Sequence, residues 1–435
     1  MNKLPQILTL ASALFLAAPS ASIIAASFHC ASISAASVFA APISAASVSS
    51  ESSAACGVDM EDSSESAVEN ACLEMVEGSE VLLGREQLHY VSKPAYPRVC
   101  CLKDGGYLLA YQETIPGRSD DNGRFINYAF SENLRDWTPM GRLFESREVI
   151  NVFGQKSTRM YSCPEFCVLE SGEVLAVCCF WNLSTYSKIE GRADNGIAIR
   201  HSIDGGKTWG EESIVFLGQS WEPFLIAQAD GRIQCYFSEA RAWISSANSG
   251  TSMVESTDGG VTWTPEHGKR PLRVMRKRYW NPVWERYQYT DQMPTGVVLD
   301  PGSGKMAFAM EDVDMGAYSL GIVFSPDDGH WNPLEGAEVG PSERIDSLSI
   351  NATGPYMVKF RSGEVLVTFT RNKGMEWPLL YRVGTSDAKS FGPERKAFDR
   401  GGWASASIDR DDSVILVAPF RGGKLHIARF RLVRQ

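Results

Sequence analysis

Apolar and polar positions alternate in short runs along most of the chain, and these runs recur in pairs. Five segments share a proline, seven further residues, a glycine, and then an apolar run rich in β-forming residues. A glycine between two such runs is typical of a hairpin turn, so each segment predicts a β-hairpin. A looser sixth copy begins at Trp403 without the proline. The paired positions are Pro97 and Gly105, Pro164 and Gly172, Pro223 and Gly231, Pro294 and Gly302, and Pro355 and Gly363.

A second motif recurs between the hairpins. SIDGGKTWG (Ser202–Gly210) and STDGGVTWT (Ser256–Thr264) share the spacing S-x-D-G-G-x-T-W, and degraded relatives end at Thr138 or begin at Ser325 and Ser386. The glycines permit positive φ, and the aspartate can accept hydrogen bonds from N–H groups two or three residues ahead. We interpret the motif, called the clip below, as a self-closing turn whose tryptophan packs on a neighbouring unit, rather than as a ligand or metal site.

Hairpin, third strand, clip and fourth strand together make one four-stranded blade. Six repeats predict an all-β, six-bladed β-propeller with antiparallel blades. The last blade has only three strands of its own, so a strand at about residues 78–86 is expected to complete it and to remove an open edge. Hairpin turns and clips share one end of each blade. We therefore expect a functional site at the opposite end, where the first strands begin.

The N-terminal region has a different composition. Residues 1–22 predict a secretory signal peptide, with Lys3 before an apolar run, and export is the expected fate. A plastid transit peptide is disfavoured because no arginine precedes Arg85. Residues 23–77 are rich in alanine and serine and then acidic, which predicts a low-complexity segment outside the fold. The propeller is expected over residues 78–435, where no apolar run is long enough to span a membrane.

The formal net charge of −10 argues against a nucleic-acid-binding groove. Cys163 and Cys167 could form a bridge or bind metal, but buried packing is the favoured interpretation for most of the ten cysteines. The six histidines form no recognisable cluster, and no phosphate-binding loop or Ser-His-Asp signature is present. We expect a monomer without metal or cofactor.

Charged residues collect at the predicted channel mouth. Solvation of strand ends can explain any single member. Several carboxylates near one axis repel, however, which raises at least one pKa and separates an acid from a base, as cleavage of a glycosidic bond requires. The charged positions are Arg98, Glu165 and Glu222 at strand starts and Glu113, Glu239, Glu311, Asp312, Arg371 and Arg421 at strand ends.

An aromatic insertion at about residues 277–292 crosses the same face. It carries Trp280 and Trp284 among three tyrosines. Aromatic rings stack on the apolar faces of sugars, so the insertion is either a wall of a carbohydrate site or a hydrophobic plug.

The clips resemble the Asp-box repeats of sialidases and related six-bladed glycoside hydrolases, from about residue 86 to the end of the chain. Within that superfamily, YPRV with DGGYLLAY, WEPFL, and MPTGVVL with MAFAME are most similar to the exo-α-1,5-L-arabinanase branch. This resemblance implies a secreted exo-acting glycosidase with a retaining mechanism, in which Glu222 is the acid/base and Glu311 the nucleophile. The expected substrate-binding residues are Arg98, Glu165, Glu239, Asp312, Arg371, Arg421, Trp280 and Trp284.

Two alternatives remain open. In an exo-α-sialidase, Arg98 would join Arg371 and Arg421 in a carboxylate-binding triad, with Asp120 or Asp121 as the acid/base, although no tyrosine can be placed as the nucleophile. Because the aromatic insertion departs from the arabinanase pattern, the sialidase alternative is retained. The other alternative is a propeller that binds glycan without cleaving it.

Overall fold

The first five blades follow the predicted order of hairpin, third strand and fourth strand. A computed structural model describes residues 68–114, 124–186, 188–239, 249–282, 285–314, 317–335, 338–371 and 377–434. The predicted signal peptide and most of the predicted low-complexity segment therefore lie outside the described residues.

Strands β3 to β25 form these blades, with one additional hairpin. Blade 1 contains β3 (Ala95–Cys101), β4 (Tyr107–Thr114), β5 (Arg124–Ser131) and β6 (Thr138–Phe144). Blade 2 contains β7 (Arg147–Ile150), β8 (Lys156–Val168), β9 (Val174–Asn182), β10 (Gly196–Ser202) and β11 (Ser213–Leu217). Blade 3 contains β12 (Ser220–Ala227), β13 (Ile233–Glu239), β14 (Gly250–Ser256) and β15 (Leu272–Met275). A separate hairpin follows, β16 (Lys277–Asn281) and β17 (Arg286–Thr290). Blade 4 contains β18 (Gln292–Asp300), β19 (Lys305–Asp314), β20 (Ala317–Phe324) and β21 (Arg344–Ile350). Blade 5 contains β22 (Ala352–Lys359), β23 (Val365–Arg371), β24 (Leu379–Gly384) and β25 (Arg395–Phe398).

Blade 6 is completed by the N-terminal part of the domain, as predicted. Its own strands are β26 (Ser405–Ile408), β27 (Val414–Phe420) and β28 (Lys424–Arg434). The predicted closing strand is present as β2 (Val81–Leu83), which pairs with β28. A further strand, β1 (Ala71–Met75), pairs with the end of β28 and precedes the predicted start of the domain at residue 78. These two N-terminal strands therefore cover the free edge of the C-terminal strand β28.

The first strands of neighbouring blades contact one another around a closed ring, from β3 through β8, β12, β18, β22 and β26 back to β3. Alternate side chains of these strands face the next blade and build apolar cores between the blades. Short helices occupy a few connections: α1 (Arg85–Leu88), α2 (Leu183–Tyr186) and two 3₁₀ turns, Ile189–Asp194 and Arg421–Gly423. The six-bladed all-β prediction is confirmed.

The clips lie at the end of the blades that carries the hairpin turns. In the first clip the Ser202 hydroxyl accepts a hydrogen bond from the N–H of Gly206 (2.8 Å), whose φ of +82° suits glycine. A Cβ on Gly206 would meet Leu108 of the preceding blade at 2.4 Å. The Trp209 ring packs edge-on against Tyr128 of that blade at 6.0 Å. The clip thus closes on itself and joins two blades.

Every cysteine among the described residues is unpaired, including the buried Cys163 and Cys167. Within the same residues, no group of three or more histidine, cysteine or acidic side chains is arranged to hold a metal ion. No helix in the described part of the chain is long and apolar enough to cross a membrane.

Candidate active site

Each blade has a left-handed residue in or just before its innermost strand, at the channel mouth. These residues immediately precede the repeated prolines, or the matching Ala404 of blade 6, and in blades 1 to 5 the strand ladder has a register shift at this point. Proline lacks the N–H that the ladder would use, and a bulge redirects the preceding side chain. Left-handed non-glycine residues often mark functional sites. The six are Tyr96, Cys163, Glu222, Met293, Gly354 and Trp403, with φ between 49° and 60°.

Tyr96, Glu222 and Met293 of this set line a small cavity at the channel mouth. Tyr96, Cys163 and Met293 belong to one buried cluster, against which Trp403 packs. The cavity itself is lined by Tyr96, Arg98, Glu165, Glu222, Pro223, Phe224, Met293, Pro294 and Thr295. Four of the blades therefore contribute to one site, as expected for the mouth of a propeller.

Glu222 enters this cavity from the bulge of β12. The Ser238 hydroxyl donates a hydrogen bond to Glu222 Oε2 (2.8 Å), and Ser238 Oγ in turn accepts one from the N–H of Met293 (2.8 Å). Burial raises the pKa of Glu222 well above its usual range, and the nearby Cys163 and Glu311 raise it further. The carboxyl group is thus held in position and is biased toward its protonated form.

Glu311 reaches the mouth from the end of β19 and is hydrogen-bonded by the next blade. The N–H of Gly354 donates to Glu311 Oε1 (2.8 Å), and the Thr353 hydroxyl donates to the same oxygen. Burial raises the pKa of Glu311, and these two hydrogen bonds oppose the rise. A Cβ on Gly354 would lie 3.3 Å from the Trp403 backbone, so this bulge has little room for a side chain. At this bulge the Gly354 N–H donates to the carboxylate rather than to the strand ladder.

Cys163 also lies beside Glu222. Although burial opposes ionisation, hydrogen bonds with Cys179 and Ser162 and the Arg98 charge lower the pKa of the Cys163 thiol to about 7. Its N–H donates to Gln112 Oε1 (3.0 Å). Cys163 is buried, as predicted, but the sequence did not indicate that this residue lies close to the site.

Arg98 and Glu165 form a buried ion pair in the wall of the cavity. Arg98 Nε lies 2.8 Å from Glu165 Oε2, and Tyr356 donates its hydroxyl to Glu165 Oε1 (3.0 Å). Arg98 Nη1 also donates to the carbonyl oxygens of Pro97 (2.8 Å) and Trp403 (3.0 Å). Arg98 therefore already has a carboxylate partner, which offsets its charge.

The other two arginines of the expected triad have different surroundings. Arg371 pairs with Glu394 and donates to the carbonyl of Ile350 (2.9 Å). Arg421 is exposed on a 3₁₀ turn after β27. Asp120 and Asp121 lie outside the described residues.

Strand alternation separates two further candidates from the cavity. Ser238 faces Glu222, so the next residue, Glu239, points away and forms a buried pair with Arg273 (2.8 Å). Asp312 follows Glu311 in the same way and pairs with Lys277 (2.7 Å). Adjacent residues at one strand end therefore make different contacts. The sequence-based prediction places all these acids at the mouth together.

Glu113, another acid of the predicted mouth, binds backbone rather than facing the cavity. Its Oε2 accepts hydrogen bonds from the N–H groups of Val91 (2.8 Å) and Ser92 (2.9 Å). Asn127 donates to the other oxygen of the same carboxylate. Glu113 thus anchors the segment before blade 1.

The aromatic insertion is the β16–β17 hairpin, and it is anchored beside Glu311. The Thr290 hydroxyl donates to the Glu311 carbonyl (3.3 Å), and Lys277 pairs with Asp312. Trp280 and Tyr287 pair across the strands with centroids 5.2 Å apart, and each is 52% exposed. This exposed pair is not a hydrophobic plug. Trp284 lies outside the described residues.

Sequence reasoning missed several residues of the site. Tyr318 lies close enough to Glu311 and Glu222 for their charges to raise its pKa, after the larger effect of burial. Ser238, Thr353 and Gly354 position the two glutamates. The repeated position before the proline was visible in the chain and could have identified Tyr96 and Gly354, whereas no local pattern marks Ser238 or Tyr318.

Comparison with known proteins agrees with this fold. No protein-family model matches the chain. The chain is 25% identical over 280 residues to a sialidase of Micromonospora viridifaciens, which covers 59% of this chain and 39% of that protein. It thus spans well under half the length of this relative.

Solved structures extend the comparison over most of the chain. The α-L-arabinofuranosidase of Fusarium graminearum, solved with arabinobiose, has a TM-score of 0.54 at 14% identity. The α-L-arabinanase of Penicillium chrysogenum, also with arabinobiose, has a TM-score of 0.54 at 15% identity. Each covers 83% of this chain and 98% of its own. The chain shares the fold of these glycosidases. The expected resemblance to arabinanases and sialidases is confirmed, and at these identities it concerns the fold alone.

Proposed function

We propose that the protein is a retaining exo-glycosidase of arabinanase type. In this proposal Glu311 attacks the anomeric carbon, while Glu222 protonates the leaving oxygen and later activates water. The observation that carries it is the proximity of the two residues at the mouth: Ser238 hydrogen-bonds both Glu222 and Met293, and Gln292, the neighbour of Met293, pairs with Glu311. The charge of Glu311 also contributes to the raised pKa of Glu222. The hydrogen bonds from Thr353 and Gly354 favour ionised Glu311, as a nucleophile requires.

Turnover of aryl α-L-arabinofuranosides that differ in leaving group tests these roles. Glu222→Gln should lose about 10²- to 10⁴-fold in kcat/KM on a poor leaving group and little on an activated one, which needs no protonation. The first-formed product, followed by NMR, should retain the substrate's anomeric configuration. Equal losses on all leaving groups, or an inverted product, would contradict the assignment.

An exo-α-sialidase is the second candidate, since the Micromonospora relative is a sialidase. The pairing of Arg98 with Glu165 weighs against it. Hydrolysis of an aryl α-sialoside by the wild-type protein, without action on arabinofuranosides, would favour this candidate.

A glycan-binding propeller is the third candidate, supported by the exposed Trp280–Tyr287 pair. Binding to polysaccharide without turnover, lost in Trp280→Ala, would favour it. Export remains a prediction that sequencing of the mature N-terminus can test. The monomeric state remains a prediction that size-exclusion chromatography can test.

A further inference from the structure

Tyr96 presents a buried hydroxyl beside Glu222. The residue is 3% exposed, lines the cavity, and lies close enough to Glu222, Cys163 and Glu311 for their charges to act on it. Among the residues that the structure describes, none forms a hydrogen bond with this hydroxyl. Buried phenolic hydroxyls normally find a partner, so an unpartnered one on a residue that lines a cavity is a natural contact for a ligand.

The Tyr96 ring is held on both sides. It stacks on Trp403 with centroids 6.2 Å apart and planes 20° from parallel, and the Arg98 guanidinium lies 4.4 Å from the ring centroid. Arg98 is itself fixed by Glu165 and by the Trp403 carbonyl. The hydroxyl therefore has a defined position before any ligand arrives, and such preorganisation favours binding.

The charges around the cavity indicate what kind of ligand fits. Arg98 is the one cation among the described residues that line it, and Glu165 neutralises that charge. Glu222 and the nearby Glu311 are acids. A sugar carboxylate would find no unpaired positive charge here, whereas a neutral sugar hydroxyl can accept from a phenol and donate to a carboxylate.

We propose that Tyr96 is a specificity-determining residue that donates its hydroxyl to one hydroxyl oxygen of a neutral sugar bound beside Glu222. This rests on the proposed glycosidase function. Burial, followed by the charges of Cys163 and Glu222, raises the pKa of Tyr96 well above its usual range, so the group remains a donor throughout the physiological pH range.

The test pairs Tyr96→Phe, which keeps the ring and its stacking, with Tyr107→Phe as a matched control. The Tyr107 hydroxyl is buried and contacts Asp409 (3.1 Å) near the hairpin turns, away from the mouth. Both variants are measured on an aryl α-L-arabinofuranoside and on its monodeoxy analogues. Tyr96→Phe should lose about tenfold in kcat/KM on every substrate except one deoxy analogue, on which it should match the wild type. Tyr107→Phe should match the wild type throughout.

Two results would overturn the proposal. One is wild-type kcat/KM for Tyr96→Phe on every substrate. The other is an equal loss on every deoxy analogue, which would indicate a structural role. The pH profile should keep its shape in Tyr96→Phe, because a group acting through Glu222 would instead displace one limb.

A binding measurement separates this proposal from the proposed function. Titration of free L-arabinose and its deoxy forms into Glu311→Gln, with and without Tyr96→Phe, requires no turnover. Binding that depends on Tyr96, in a wild-type protein that hydrolyses nothing, would reject the glycosidase and keep the contact. Hydrolysis by the wild type at a rate that Tyr96→Phe does not change would support the glycosidase and reject the Tyr96 contact. If neither hydrolysis nor binding is found, both fail.

Discussion

The aspartates of the clips and the glutamates of the mouth lie at opposite ends of the blades and meet opposite electrostatic surroundings. Hydrogen bonds from the hydroxyl and N–H of Thr208 lower the pKa of Asp204 to about 2, and Thr262 does the same for Asp258. At the mouth, burial raises the pKa values of Glu222 and Glu311. A carboxylate that is held by several local donors and open to water thus keeps a low pKa and serves structure, whereas loss of water raises the pKa of a carboxyl group, as the acid/base role proposed for Glu222 requires.

The origin of the donors also differs. Asp204 is satisfied by residues at most four positions away, such as Thr208 at 2.6 Å. The donors of Glu311, Thr353 and Gly354, come from the next blade, 42 and 43 positions later. Clip geometry therefore follows from a short motif, whereas the mouth exists only when the ring has closed.

The largest expected contrast is in turnover. Glu311→Gln should lower kcat by about 10⁴-fold or more, because the attacking carboxylate is removed. Asp258→Asn, a matched change at the clip end, should leave kcat per folded molecule unchanged and lower the melting temperature. Steady-state kinetics with calorimetry on both variants checks this pair. Loss of activity in Asp258→Asn at an unchanged melting temperature would reverse the roles of the two ends.

The buried pair Arg98–Glu165 should respond next most strongly. Arg98→Ala leaves Glu165 buried without its cation and should cost about 3–5 kcal/mol in the free energy of unfolding. Arg98→Met combined with Glu165→Gln should recover much of that loss. Urea denaturation measures both. If Arg98→Ala kept the wild-type free energy of unfolding but lost affinity for a sialoside, Arg98 would be a substrate-binding residue. That result would favour the sialidase.

The clips should affect stability alone. Trp209→Ala removes packing against Tyr128 and should cost about 1–4 kcal/mol. Asp204→Ala should cost less, since its bonds are exposed to water. The control is Ile203→Ala, because Ile203 is 88% exposed in the same turn and should change nothing. Denaturant titration and kcat per folded molecule are the measurements, and a selective fall in kcat would place a site at this end.

The smallest effect is a pH dependence with opposite signs at the two ends. Glu222 has a raised pKa, so its ionisation disfavours folding, and Glu222→Gln should melt above the wild type at pH 7. That advantage should vanish toward about pH 4, where the unfolded carboxyl is also protonated. Asp204 has a lowered pKa, so Asp204→Asn should melt below the wild type at pH 7, and the deficit should fade toward pH 2. The same sign in both variants would contradict the comparison.

Much of the architecture was predictable because its signals are local. The spacing from Pro97 to Gly105 defines a hairpin within nine residues, and its five copies together with the looser sixth at Trp403 count the six blades. The shortage of one strand in blade 6 predicted that a strand at about residues 78–86 would close the ring, and Val81–Leu83 does so. β1 escaped prediction because it adjoins an acidic, serine-rich stretch whose composition resembles disorder.

The sequence by itself determined the six blades, the clips and the end of the propeller at which acids collect, since each depends on contacts within a hairpin or turn. Only the tertiary structure decided which of those acids meet. Glu165 and Glu222 line one cavity, Glu165 pairs there with Arg98, 67 positions away, and the charge of Glu311 acts on Glu222. Glu239 and Asp312 turn aside by one step of strand alternation. The reason is physical: a side chain's partner across a propeller depends on bulges and strand register summed over several blades, and no short segment encodes that sum.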